Sequence, residues 1–185
     1  MIRDTWPTVN IWSVRKPTMS HRRVPVPRVP LRLPSRQRRR RVAVIVDGPN
    51  MLRKELGVDL EEVSKVASEL GSVRLKVVVL DRKAPEKLVE AVMNAGYKAL
   101  ISPGKPEVDF TIAAMDSIHD DKIDALALVT RSAAYISLVY RAKEAGKEVA
   151  VIGAEPGFSV ALRKAADASF TIGTPSPPDE SAEEE

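Results

Sequence analysis

The sequence predicts an α/β fold: a Rossmann-like, doubly wound and mainly parallel sheet of about five to six strands with helices on both faces. Three observations carry this. Short aliphatic runs, each the length of a strand, recur through residues 42–172. Stretches of helical period alternate with them. Start and stop signals bracket those stretches: Asp59 and Gly71, Pro85 and Gly96, and Gly146.

The elements follow in order. Residues 42–47 (Val-Ala-Val-Ile-Val-Asp) are a buried strand ending on a carboxylate. Asp59-Leu60-Glu61-Glu62 opens a helix like a capping box, with Asp59 as acceptor and Glu62 three positions on. Leu60, Val63, Val66, Ala67 and Leu70 then recur at helical spacing until Gly71. Residues 74–80 are a second strand. Residues 85–95 are a helix started by Pro85, and 97–102 a third strand. Residues 108–118 read as a helix with Phe110, Ile112, Ala113 and Ala114 facing inward. A fourth strand covers 125–130, and a helix over 133–145 stops at Gly146. Residues 148–153 are a fifth strand, 159–166 a short helix and 169–172 a short sixth strand.

Composition narrows the chemistry. The 185 residues carry 29 Lys and Arg, 25 Asp and Glu, two His and no Cys. Without Cys there are no disulfides, thiolate metal sites or Cys nucleophiles, which is compatible with a cytoplasmic address. His21 and His119 stand far apart, so no His-rich metal motif forms. Aromatic residues make up 4%, too few for a base-stacking platform. No apolar run is long enough to span a membrane.

Charge divides the chain into three parts. Residues 1–41 hold 12 basic residues, one acid and six Pro, for a net charge of +11. They read as a basic Pro/Arg-rich arm, disordered and able to bind a phosphate backbone, or as residues upstream of the true start. Residues 42–172 are the folded domain. Residues 173–185, with five acids, no base and three Pro, read as a solvated acidic tail.

In sheets of this kind, ligands bind outside the carboxyl ends of the strands, where strand order reverses. The polar residues expected there are Asp47-Gly48-Pro49-Asn50, Lys105 with Glu107 and Asp109, Thr130-Arg131-Ser132, and residues 153–159. There is no Gly-x-Gly-x-x-Gly dinucleotide fingerprint and no phosphate-binding Gly-x4-Gly-Lys motif. What recurs is carboxylate. Asp47 closes an apolar strand, Asp109 starts a helix, and Asp116 lies one heptad further on the same helix face. Oxygen ligands of this type suit Mg²⁺ or Mn²⁺, which can activate water toward a phosphodiester. Each residue also has a plainer reading: a turn for Asp47 and Asn50, a cap for Asp109 and solvent for Asp116. Arg53, Lys54, Lys105 and Arg131 flank the expected cleft, as RNA-backbone contacts or as ordinary solvated charges. Residues 153–159 are either a phosphate cradle or a tight turn with Ser159 as N-cap. Tyr135 and Tyr140 read as packing residues, and His119 as exposed.

These segments, in this order and spacing, resemble the NYN/LabA-like division of the PIN-like nuclease superfamily, particularly its archaeal members. The resemblance rests on Val46-Asp47-Gly48-Pro49-Asn50, Lys105-Pro106-Glu107-Val108-Asp109 followed by Asp116, Leu128-Val129-Thr130, Gly146-Lys147-Glu148-Val149, and the stretch from Val151 to Ser159. It implies a metal-dependent ribonuclease fold, with Asp47 and Asp109 as metal ligands, Asn50 in support and Asp116 further out. One place departs from the pattern. Archaeal members of the family read Thr-Arg-Asp-Ala-Asp-Phe after the fourth strand, whereas this chain reads Thr130-Arg131-Ser132-Ala133-Ala134-Tyr135. A hydroxyl and a methyl replace two carboxylates. A hydroxyl can coordinate Mg²⁺ weakly but brings no charge, and a methyl cannot coordinate it.

Two readings follow. The chain is either an RNA-binding protein with weak, Mg²⁺- or Mn²⁺-dependent endoribonuclease activity at Asp47, Asn50, Asp109 and Asp116, or a catalytically inactive RNA-binding scaffold. In both, Arg53, Lys54, Lys105, Arg131 and Ser132 contact RNA, no small-molecule cofactor or membrane is involved, and two copies can pair to enlarge the cleft.

Overall fold

A computed structural model describes residues 39–173. The acidic tail beyond Gly173 and all but the last three residues of the basic arm lie outside the described residues. Six strands form one sheet in the order β3-β2-β1-β4-β5-β6, and every pairing is parallel. They are β1 (Arg41–Asp47), β2 (Ser72–Leu80), β3 (Lys98–Ile101), β4 (Ala125–Val129), β5 (Glu148–Gly153) and β6 (Ala168–Thr171). The helices are α1 (Gly48–Met51), α2 (Leu60–Leu70), α3 (Glu86–Asn94), α4 (Pro106–His119), α5 (Ile136–Glu144) and α6 (Val160–Ala165).

The apolar runs are continuous because the central strands are covered on both faces. Side chains alternate across the sheet. Val42, Val44 and Val46 of β1 face Met51, Leu60, Val63, Ala67 and Val92 of α1, α2 and α3. Ala43 and Ile45 face Phe110, Ala114, Leu138, Val139 and Leu162 of α4, α5 and α6. Helices α2 and α3 therefore cover one face and α4, α5 and α6 the other. Strand order reverses between β1 and β4, which places the binding edge at the ends of those two strands. Among the described residues no helix is long and apolar enough to cross a membrane.

Local signals act largely as read, with four departures. Residues 48–51, expected as a turn, form the one-turn helix α1 with Pro49 in its first turn, and Lys54–Leu56 form a 3₁₀ turn. Asp59 caps α2 by accepting from the Glu61 N–H at 2.9 Å, but Glu62 does not return the bond. Its carboxylate accepts from the Gly173 N–H at 3.3 Å, tying the end of the described chain to α2. Ile112 is 52% exposed, not inward. The buried stripe of α4 is Phe110, Ala114, Ser117 and Ile118, and Ile112, two positions from Phe110, falls outside it. Tyr140 is likewise 55% exposed, because Leu138, Val139 and Ala142 set the inner face of α5.

Candidate ligand site at the carboxyl edge of the sheet

Asp47 is the last residue of β1 and is 4% exposed. By alternation it points to the same face as Ala43 and Ile45, under α4 and α5. The register pairs Val46 with Val129, so Thr130 follows β4 beside Asp47. Its hydroxyl donates to Asp47 Oδ2 at 3.0 Å. Asn50 Nδ2 donates to the same oxygen at 3.3 Å. Gly48 lets the chain turn here at close quarters, since a Cβ would overlap the Val79 carbonyl oxygen of β2.

Burial pushes the Asp47 carboxyl above the usual carboxylate range, and the hydrogen bonds from Thr130 and Asn50 work against that rise. The Tyr135 hydroxyl is buried and makes no hydrogen bond of normal geometry. It lies near enough to Asp47 for each group to shift the other. Burial first, then the charges of Asp47 and Glu107, hold this phenol up, so it stays a neutral donor at physiological pH. Its ring packs on Phe110 with centroids 4.4 Å apart, which joins α4 to the start of α5.

Arg131 does not pair directly with a carboxylate. Its Nε donates to Asn50 Oδ1 at 3.1 Å, and its Nη1 donates to the Pro156 carbonyl. Asn50 therefore bridges Asp47 and Arg131. Ser132 is engaged locally. Its hydroxyl accepts from the Ala134 N–H at 3.3 Å and caps the turn that leads into α5. The stretch 153–159 is a tight turn, with Ser159 Oγ accepting from the Leu162 N–H at 3.2 Å. The phosphate-cradle alternative gains no support, because Ser159 is spent as the cap of a six-residue helix.

Asp47, Asp109 and Asp116 do not form a three-carboxylate metal group. Asp109, half-buried in the first turn of α4, accepts from the Ser102 hydroxyl at the end of β3. Asp116 is exposed and sits about 10 Å further along α4, at 1.5 Å per residue. The shared helix face inferred from spacing is real but points Asp116 to solvent. Arg53, Lys54 and Lys105 are exposed at the same edge as Asp47, and Arg53 Nε is held by the Pro49 carbonyl at 3.0 Å.

The sequence placed Thr130 and Glu107 at the binding edge without a role for either, and Tyr135 read as a packing residue. Thr130 carried a signal, because its apolar strand ends on a polar group just as β1 ends on Asp47. The convergence of Tyr135 and Glu107 on Asp47 carried none, since it depends on how α4 packs.

The residues can be tested against a divalent ion. Asp47 is an oxygen donor of the right type. However, the Ser132 hydroxyl is engaged, Ala134 offers no donor, and no three acidic or His side chains among the described residues come together to hold a metal. The set does not fit a resident metal centre built on several carboxylates.

Residues 41–173 match the NYN domain family. The chain belongs to that family. Membership places it in the PIN-like nuclease superfamily. This NYN chain is 45% identical over 133 residues to an uncharacterized protein of Methanocaldococcus jannaschii, covering 72% of this chain and 55% of that protein. It thus spans about half the length of that curated relative. A solved structure, of a protein of unknown function from Vibrio parahaemolyticus, is similar with a TM-score of 0.65 at 19% identity, covering 74% of this chain and 94% of that one. That likeness shows the fold: a six-stranded parallel sheet flanked by helices.

Proposed function

We propose that this NYN domain binds RNA along the carboxyl edge of its sheet, and that phosphodiester cleavage there is weak or absent. The observation that carries the reading is the composition of the switch point: one buried carboxylate, Asp47, surrounded by neutral donors. A polar, preformed site at that edge suits a ligand. Arg53, Lys54, Lys105 and Arg131 add positive charge at the same edge for a phosphate backbone. A metal-dependent nuclease needs carboxylates around its ion, and no three acidic or His side chains among the described residues come together to hold one.

A second reading, a weak nuclease, is favoured by one feature. A buried carboxylate whose proton affinity is raised also gains from a cation. Mg²⁺ or Mn²⁺ arriving with a substrate phosphate would take Asp47 as ligand, with Asp109 the next carboxylate along the edge, and would supply an activated water.

The test incubates the full chain with end-labelled single-stranded and hairpin RNA in EDTA, Mg²⁺ or Mn²⁺. The expected result is retention of RNA with little or no cutting. The double substitution Ser132→Asp with Ala134→Asp restores two carboxylates and should bring metal-dependent cleavage that Asp47→Asn removes. Strong cutting by the natural sequence, lost in Asp47→Asn, would establish the nuclease reading instead. Failure to retain any RNA would refute both.

A further inference from the structure

We propose that Arg131 is the resident cation of this site, that it recognises a phosphodiester without a divalent metal, and that Asn50 is the residue that positions it. The inference rests on the RNA reading above and concerns how the same site takes its ligand.

The first support is how the guanidinium is held. Both acceptors of its hydrogen bonds are neutral: Asn50 Oδ1 at 3.1 Å and the Pro156 carbonyl. Its own backbone carbonyl accepts from the Ser159 N–H at 3.1 Å. None of the ion pairs among the described residues includes Arg131. A guanidinium has five N–H donors, and these contacts leave most of one edge uncommitted. A cation fixed in orientation but not neutralised is suited to a phosphate.

The second support is the space beside it. Gly157 has a φ of 92°, and a Cβ there would stand 3.3 Å from Arg131 Nη1. The turn passes close to the guanidinium because this position has no side chain. The third is place. Arg131 follows β4 at the strand-order reversal, and Asn50 links it to Asp47. The chain that lacks the carboxylates for gathering a metal thus carries a positive charge of its own there. The buried Tyr135 hydroxyl, beside Asp47, is a further donor in the same site.

This arrangement reverses the expected role of Asp47. In a metal-bridged site, Asp47 aids an anion by holding the ion between them. In a site whose cation is Arg131, Asp47 only repels the anion. Asn at position 47 keeps an acceptor oxygen for Asn50 Nδ2, so Arg131 stays in position while the repulsion is removed.

The probe is a 5′-fluorescein-labelled hexauridylate, read by anisotropy with the full chain at raised salt, in EDTA and then with Mg²⁺. Every variant keeps residues 1–38, so differences between variants report the site. Expected are binding in EDTA that Mg²⁺ leaves unchanged and a loss of about tenfold (1.4 kcal/mol) in Arg131→Ala. Arg131→Lys should recover little of that loss, because an ammonium cannot hold Asn50, the Pro156 carbonyl and a phosphate together. Asp47→Asn should bind several-fold more tightly. The Arg131 Nε–H resonance should shift on adding probe to the natural sequence and be lost in Asn50→Ala, which separates positioning from a general structural effect. If Arg131→Ala fails to fold by circular dichroism, Arg131→Lys and Asp47→Asn decide the matter.

Binding that requires Mg²⁺ and disappears in Asp47→Asn overturns the inference and leaves the RNA reading standing. Binding in EDTA that is indifferent to both Arg131 substitutions does the same. No binding by any variant, with or without Mg²⁺, overturns both.

Discussion

Replacing Thr130 with Val removes one hydroxyl and keeps the β-branched shape, so the perturbation falls on hydrogen bonds. The Thr130 side chain donates to Asp47 Oδ2 at 3.0 Å and accepts from the Ser132 N–H at 3.3 Å. The first bond serves a buried carboxylate, and bonds to charged groups contribute about 1.5–3 kcal/mol. With the second, the substitution should cost about 2–3 kcal/mol at neutral pH. For a domain of this size that lowers Tm by about 10 °C. The pH dependence is the sharper test. Burial raises the Asp47 pKa and the Thr130 bond opposes the rise. A group whose folded-state pKa is raised stays protonated in the fold at pH values where the unfolded chain has already lost the proton. Stability therefore falls as pH rises through that interval. Without the hydroxyl the folded-state pKa rises further, so the cost of Thr130→Val grows toward neutral pH. It shrinks in acid, where Asp47 is protonated in both states. Urea melts at neutral and acid pH would measure this for Thr130→Val, Asp47→Asn and the double variant. Asp47→Asn alone should lose no stability at neutral pH, because it removes a buried charge and keeps the shape. The cost of Thr130→Val should be smaller in its presence. A cost equal at both pH values and undiminished in the Asp47→Asn background would refute the reasoning and make Thr130 a packing residue.

Two further outcomes follow from the fold. Gly48→Ala places a methyl on the Val79 carbonyl oxygen and against the Leu80 side chain; backbone cannot yield as a side chain can, so thermal melts should show a loss of about 3 kcal/mol. Asp167 accepts from the Val149 N–H at 2.9 Å and pairs with Lys143 at 2.8 Å, and the Lys143 bond, ahead of the others, lowers its pKa. Its contribution is therefore present above the unfolded-state pKa and lost as pH falls through the folded-state one. In Asp167→Asn, chemical melts should show a deficit under about 1 kcal/mol at neutral pH that vanishes in acid.

Much of this fold was legible because its signals are local. Each strand announces itself as an aliphatic run, and Asp59, Gly71, Gly96, Gly146 and Ser159 act at the helix ends where the sequence places them. The strand-end rule then located Asp47, Asn50 and Arg131 at one edge. What failed depends on angle and distance. A spacing of seven puts Asp109 and Asp116 on one helix face without saying whether that face meets the sheet. The inward direction of α4 is set by Phe110, whose ring must pack on Tyr135, and this turns Ile112 outward. The meeting of Thr130 with Asp47 needed the β1–β4 pairing, which no single segment contains.

If the domain binds RNA as proposed, its charges fall at two ends of β1. Arg39 and Arg40 lead into β1, which begins at Arg41 and ends at Asp47. Seven residues at about 3.3 Å each put roughly 20 Å between these points, or about twice the Debye length at physiological ionic strength. The charges at the start are also answered locally: Arg40 pairs with Glu148 at 2.9 Å and Arg41 with Asp124 at 2.6 Å. An arm bearing many charges acts through counterion release and sets the salt slope of binding, each phosphate on a single strand contributing about −0.7. Arg131 is one charge held in a fixed orientation, so its removal shifts affinity at every salt concentration and changes the slope by less than one. A steep salt dependence of RNA binding would speak to residues 1–41, and only the difference between Arg131 variants, at constant salt, would speak to the site.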